Sequence, residues 1–112
     1  MVNKSQKVLY VIQKLADVDF QQEAWIQNKY WNEIESFVDA TNILEEYHFF
    51  HDVEQNKIGL VDYEWKEVNS FVSKLLEYDS QQDEKYTLFD MNWIVITNEA
   101  KIIFEILKKY KW

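Results

Sequence analysis

Both histidines of the chain stand in one stretch, EEYHFFHD, running from Glu45 to Asp52 with three carboxylates and three aromatic rings. On a helix, Glu45, His48 and Asp52 share a face at spacings of three and four residues, the way carboxylate and imidazole ligands converge on a metal. Glu-x-x-His is also one half of the ligand set of di-iron bundle proteins, whose other half is a second such pair on another helix. With two histidines in the whole chain, that second pair is missing. What is left is a mononuclear site from Glu45, His48, Asp52 and a distant carboxylate. The plainer reading is of two helix-surface histidines, His48 and His51, half covered by Phe49 or Phe50.

Other catalytic chemistry finds little to work with. Cysteine is absent, so there is no thiolate nucleophile, thiolate metal site or disulfide. Ser36, Ser70, Ser73 and Ser80 fall on expected helices or in a polar loop, away from any nucleophile elbow. Gly59 is the one glycine, which excludes a phosphate-cradling loop of the Walker or dinucleotide type. The residues therefore point to a chain without catalytic groups and without a cofactor.

The elements that must position these residues follow from apolar spacing. Val8, Val11, Ile12 and Leu15 predict a first helix from Asn3 or Ser5 to about Ala16. Asp19 and Gln22 form a capping-box pattern ahead of a second helix, with Ile26, Tyr30, Ile34 and Phe37 inward and Trp31 and Val38 widening the stripe. Asn42 and Glu45 suggest another box, and Ile43, Leu44, Tyr47 and Phe50 a third helix. A strand with Tyr47, Phe49, His51 and Val53 on one face fits the same residues. The chain turns at Gly59, and IGLV reads as a short strand. Asp62 is expected to cap a helix carrying Trp65, Val68, Phe71, Val72, Leu75 and Leu76 inward, with Glu64, Glu67, Lys74 and Glu77 toward solvent. After the polar stretch YDSQQDEK, the segments YTLF and NWIVIT have strand composition, and Asp90 to Asn92 would join them as a hairpin. The tail from Asn98 reads as a helix burying Ile102, Ile103, Ile106, Leu107 and Tyr110, or as a second hairpin. The expected fold class is α+β: a mainly helical domain with a small antiparallel β-hairpin near the C-terminus, an all-α bundle being the alternative. At 112 residues, 47% of them hydrophobic, one domain over 1–112 can fill its own core.

Charge separates this chain from a generic domain. The net charge is −8, and all 12 basic residues are lysine. Lack of the arginine fork, together with acidity, argues against direct nucleic-acid binding and phosphoryl transfer. Residues 1–29 carry four lysines and three acids, residues 33–84 three lysines and fourteen acids, and residues 85–112 five lysines and three acids. These give +1, −11 and +2, a strongly acidic middle between near-neutral ends. The N-terminal apolar run is too short for a signal peptide, and no segment reaches the roughly 18 apolar residues of a membrane span, so a cytoplasmic protein is expected.

Small size, strong acidity and an aromatic-rich acidic middle resemble the immunity proteins that bacteria make against nuclease toxins, of the contact-dependent growth inhibition and colicin types. The C-terminal DMNWIVITNEAKIIFEI is similar to segments of such proteins. The resemblance implies a non-catalytic inhibitor that blocks a cognate basic toxin domain. A basic nuclease cleft attracts an acidic protein by long-range steering, and aromatics among carboxylates supply contact area. On charge placement, the candidate contact residues are Glu45, Glu46, His48, Asp52, Glu54, Asp62, Tyr63, Glu64, Glu67, Asp83 and Glu84. An acidic adaptor or nucleic-acid mimic that inhibits a DNA-binding protein is the second reading, and a His/carboxylate metalloenzyme the third.

Overall fold

The structure, a computed structural model, describes residues 3–26, 37–78, 90–110 and 112. Helix α1 spans Lys4–Leu15 and starts on a capping box: Asn3 accepts from the Gln6 backbone at 2.8 Å, and the Gln6 side chain accepts from the Asn3 N–H at 3.2 Å. It buries Val8, Val11, Ile12 and Leu15, the face expected from spacing. Helix α2, Val18–Gln21, is capped by Asp17, which accepts from the Phe20 N–H at 3.0 Å, and not by the expected Asp19–Gln22 box. Burial of Phe20 and Gln21 sets that register. A wider π turn over Gln22–Ile26 follows and buries Ala24 and Trp25. Tyr30, Trp31 and Ile34 of the expected stripe lie outside the described residues.

Helix α3, Phe37–Glu46, buries Phe37, Ala40 and Leu44. Val38, expected in the stripe, is 54% exposed, and Asn42 lies inside the helix instead of capping one. The chain breaks at His48, whose φ of 62° is left-handed, and resumes as α4, Phe49–Glu54. Asn56 and Gly59 also have positive φ, and there the Asn56 side chain clamps Leu60 from both sides, accepting from its N–H at 2.9 Å and donating to its carbonyl at 3.0 Å. That clamp uses the backbone groups a strand ladder would need, so IGLV leaves the turn over residues 55–58 as irregular chain and forms no strand. Helix α5, Asp62–Glu77, has Val61 at its N-cap; Asp62 is its first residue and pairs with Lys66 at 3.2 Å without capping. Val68, Phe71, Val72 and Leu75 are buried as expected, whereas Leu76 is 59% exposed.

The α+β expectation is overturned by helix α6, Met91–Leu107: among the described residues there is no strand, and the architecture is the all-helical alternative. Asp90 accepts from the Asn92 N–H at 2.9 Å as the cap of α6, so the residues expected to turn a hairpin start a helix. Asn98 lies within that helix and caps nothing. Trp93, Ile96, Thr97, Ala100, Ile103 and Leu107 are buried at spacings of three and four, and this packing outweighs the weak strand preference of the β-branched run. YTLF lies outside the described residues.

Helix α6 packs on α1 and α5, α1 also touches α3, and α4 bridges α3 and α5. Trp93, 1% exposed, sits at the centre, with the rings of Trp25, Phe37 and Tyr78 at 5.8, 5.3 and 5.2 Å. Its indole N–H donates to Gln21 Oε1 at 3.0 Å, and Gln21 Nε2 donates to the Lys14 and Leu15 carbonyls at 2.9 Å each. Fully buried Gln21 thereby closes the C-terminal end of α1 and fixes the indole of α6 against it. Among the described residues no helix is long and apolar enough to cross a membrane.

Candidate functional site

The left-handed turn at His48 determines what EEYHFFHD presents. Histidine is among the non-glycine types that enter this region more readily than most, and the turn lets Phe49 and Val53 rotate into the core at 0% exposure. Glu45, His48, His51 and Glu54 then stay outside, along one lip of a groove of about 540 Å³ between α4 and α5. The opposite wall is a face of α5 with Asn69, Val72, Ser73 and Leu76, and half-buried Phe50 contributes from α4. The groove joins an apolar wall to a rim of carboxylates and imidazoles.

The expected contact residues separate into four groups. Glu45, His48 and Glu54 line the groove. Glu46, Asp62, Tyr63 and Glu67 are exposed but do not line it. Glu67 precedes Leu76 by nine residues, which at about 100° per residue puts it about 180° away on the far flank of α5. Asp52 and Glu64 are buried, and Asp83 and Glu84 lie outside the described residues.

The two buried acids are structural and correct the expectation of a partner-facing role. Asp52, 6% exposed, pairs with Lys4 and ties α4 to the start of α1. Glu64, 3% exposed, takes Lys109 Nζ on one oxygen and the Tyr110 hydroxyl on the other, fastening the chain after α6 to the first turn of α5. The hydrogen bonds from Lys109 and then Tyr110 hold the Glu64 carboxyl below its ordinary range against the opposing effect of burial. The same contact pushes the Lys109 ammonium and the Tyr110 phenol up. Glu64 falls on the core side of α5 because Val68, Phe71 and Leu75 follow it at helical spacing.

The Glu45–His48–Asp52 metal triad does not form, because the break at His48 divides its helix and Asp52 turns inward to Lys4. Among the described residues no three histidines or carboxylates gather where they could hold a metal ion. Five of the nine described lysines are committed elsewhere: Lys4 to Asp52, Lys66 to Asp62, Lys74 to Glu99, Lys108 to Glu105 and Lys109 to Glu64. Among the described residues no lysine pairs with Glu45, Glu46, Glu54, Glu67 or Glu77, so these negative charges face outward uncompensated.

Asn69, Val72, Ser73 and Leu76 line the groove without being among the expected contact residues. The pair Leu75–Leu76 held a usable signal, since the two side chains diverge by about 100° and the core-facing stripe takes one of them. Comparison of the chain with known protein families, with curated proteins and with solved structures finds no match.

Proposed function

We propose that this chain is a non-catalytic acidic binding protein of the immunity type, which neutralises a basic toxin domain, a nuclease, in the cytoplasm by docking on it and blocking it. The observation that carries the reading is the set of exposed carboxylates left without lysine partners among the described residues, two of which, Glu45 and Glu54, rim a groove that also exposes Phe50 and Leu76. Surface charge of one sign raises association rates with an oppositely charged cleft by about 10 to 10³, and the apolar wall contributes contact area that charge alone does not. An inhibitor of this kind needs no chemistry of its own.

Co-expression with the product of the adjoining gene tests the proposal. A stable stoichiometric complex and loss of that product's toxicity support it. If instead the chain binds unrelated DNA-binding proteins in a salt-sensitive way and leaves the adjoining product active, the nucleic-acid mimic reading replaces it. No complex with either kind of protein refutes both.

A further inference from the structure

Resting on that reading, we infer that the groove between α4 and α5 is where the partner's main anchor seats: a short amphipathic segment with an apolar side chain flanked by lysine or arginine. Leu76 is 59% exposed although it adjoins buried Val72 and Leu75 on the same helix. Together with Phe50, it gives the groove an apolar wall that an incoming side chain can cover. The carboxylates of Glu45 and Glu54 stand on the opposite lip. Neither has a lysine among the described residues, so a cation on the incoming segment meets a charge that the fold has not neutralised. Asn69 and Ser73 add neutral hydrogen-bonding groups between these zones.

The same chemistry is not repeated on the far flank of α5. There Glu67 is exposed and likewise without a lysine among the described residues, but it stands outside the groove and away from the Phe50–Leu76 apolar wall. An apolar anchor with flanking cations matches the groove and not that flank, in the manner of helices that lay their apolar face into a groove.

Titration of the isotope-labelled full chain with a synthetic amphipathic peptide, leucines on one face and lysines flanking them, tests the assignment by NMR. The expected shifts cluster in residues 45–54 and 69–76. Leu76→Ser and Glu45→Lys/Glu54→Lys should each weaken binding about tenfold, as loss of an anchor or of local charge complementarity does, while Glu67→Lys should change it less than about twofold. All altered side chains are exposed, and thermal unfolding of each variant separates lost binding from lost fold; if Leu76→Ser unfolds, the charge reversal carries the test. No binding, shifts spread over all acidic positions, or equal weakening by Glu67→Lys overturns the inference. A groove that stays silent while the chain still neutralises a toxin sinks this inference alone. A groove that takes the peptide in a chain that binds no toxin sinks the immunity reading alone.

Discussion

Gln21 is the polar group on which the packing of α1, α2 and α6 converges, and Gln21→Met is the substitution that isolates its role. Methionine is close in length and volume, so the change removes hydrogen bonds while leaving little cavity. Three bonds are lost: two from Nε2 to the Lys14 and Leu15 carbonyls and one to Oε1 from Trp93 Nε1. The Lys14 carbonyl keeps the Asp17 N–H at 3.2 Å. The Leu15 carbonyl and the Trp93 N–H are left as the two orphaned groups, and a buried unsatisfied group costs about 1–3 kcal/mol. Two such groups give a loss of about 3 kcal/mol, against a total stability of about 5–15 kcal/mol for a domain. In a chain of this size that corresponds to a fall in Tm of roughly 10–15 °C. Urea unfolding of Gln21→Met, Trp93→Phe and the double variant measures both the loss and the coupling, which should reach about 1 kcal/mol. A loss below about 1 kcal/mol, or additive single effects, would refute this account of the core.

Three further predictions concern Glu64 and His48. Glu64→Lys should sharply lower the urea midpoint, because it sets a second ammonium against Lys109 where a carboxylate now receives it; an unchanged midpoint would return Glu64 to the surface. Since the folded-state pKa of Glu64 is depressed, its contribution is present above the ordinary value of 4.5 and lost as pH falls through the lowered one. Glu64→Gln should therefore lose less stability than wild type between pH 4.5 and the acid limit, and parallel curves would contradict the linkage. At His48, φ of 62° costs a β-branched residue more than histidine and glycine nothing. His48→Val should lower stability by about 1–2 kcal/mol and His48→Gly by less than about 1 kcal/mol in thermal unfolding, with equal losses excluding the left-handed turn.

Helices with a single dominant period were legible in the sequence. Val8, Val11, Ile12 and Leu15 gave α1, and Val68, Phe71, Val72 and Leu75 gave most of the inward face of α5. NWIVIT was misread because a continuous apolar run satisfies both a two-residue and a 3.6-residue period, and burial of Trp93 together with Ala100 and Ile103 decides for the helix. The break at His48 was hidden since no glycine or proline marks it. Of the proposed contact residues, Glu45, His48 and Glu54 come together in the groove. Asp52 and Glu64 were misassigned because their partners, Lys4 and the Lys109–Tyr110 pair, are far away in sequence, and a long-range ion pair leaves no local pattern. Leu76 was counted as core since a helical stripe does not tell which of two adjacent leucines the neighbouring helices leave open.

If uncompensated carboxylates beside the α4–α5 groove receive a basic partner, the association rate with the product of the adjoining gene must depend on them. That rate should be measured across ionic strengths for wild type, Glu45→Lys/Glu54→Lys and Glu67→Lys. The wild-type rate should fall steeply with salt, the groove variant should associate about tenfold or more slowly at low salt, and Glu67→Lys should show a much smaller drop. A rate insensitive to salt and equal in all three proteins would contradict that role of the carboxylates.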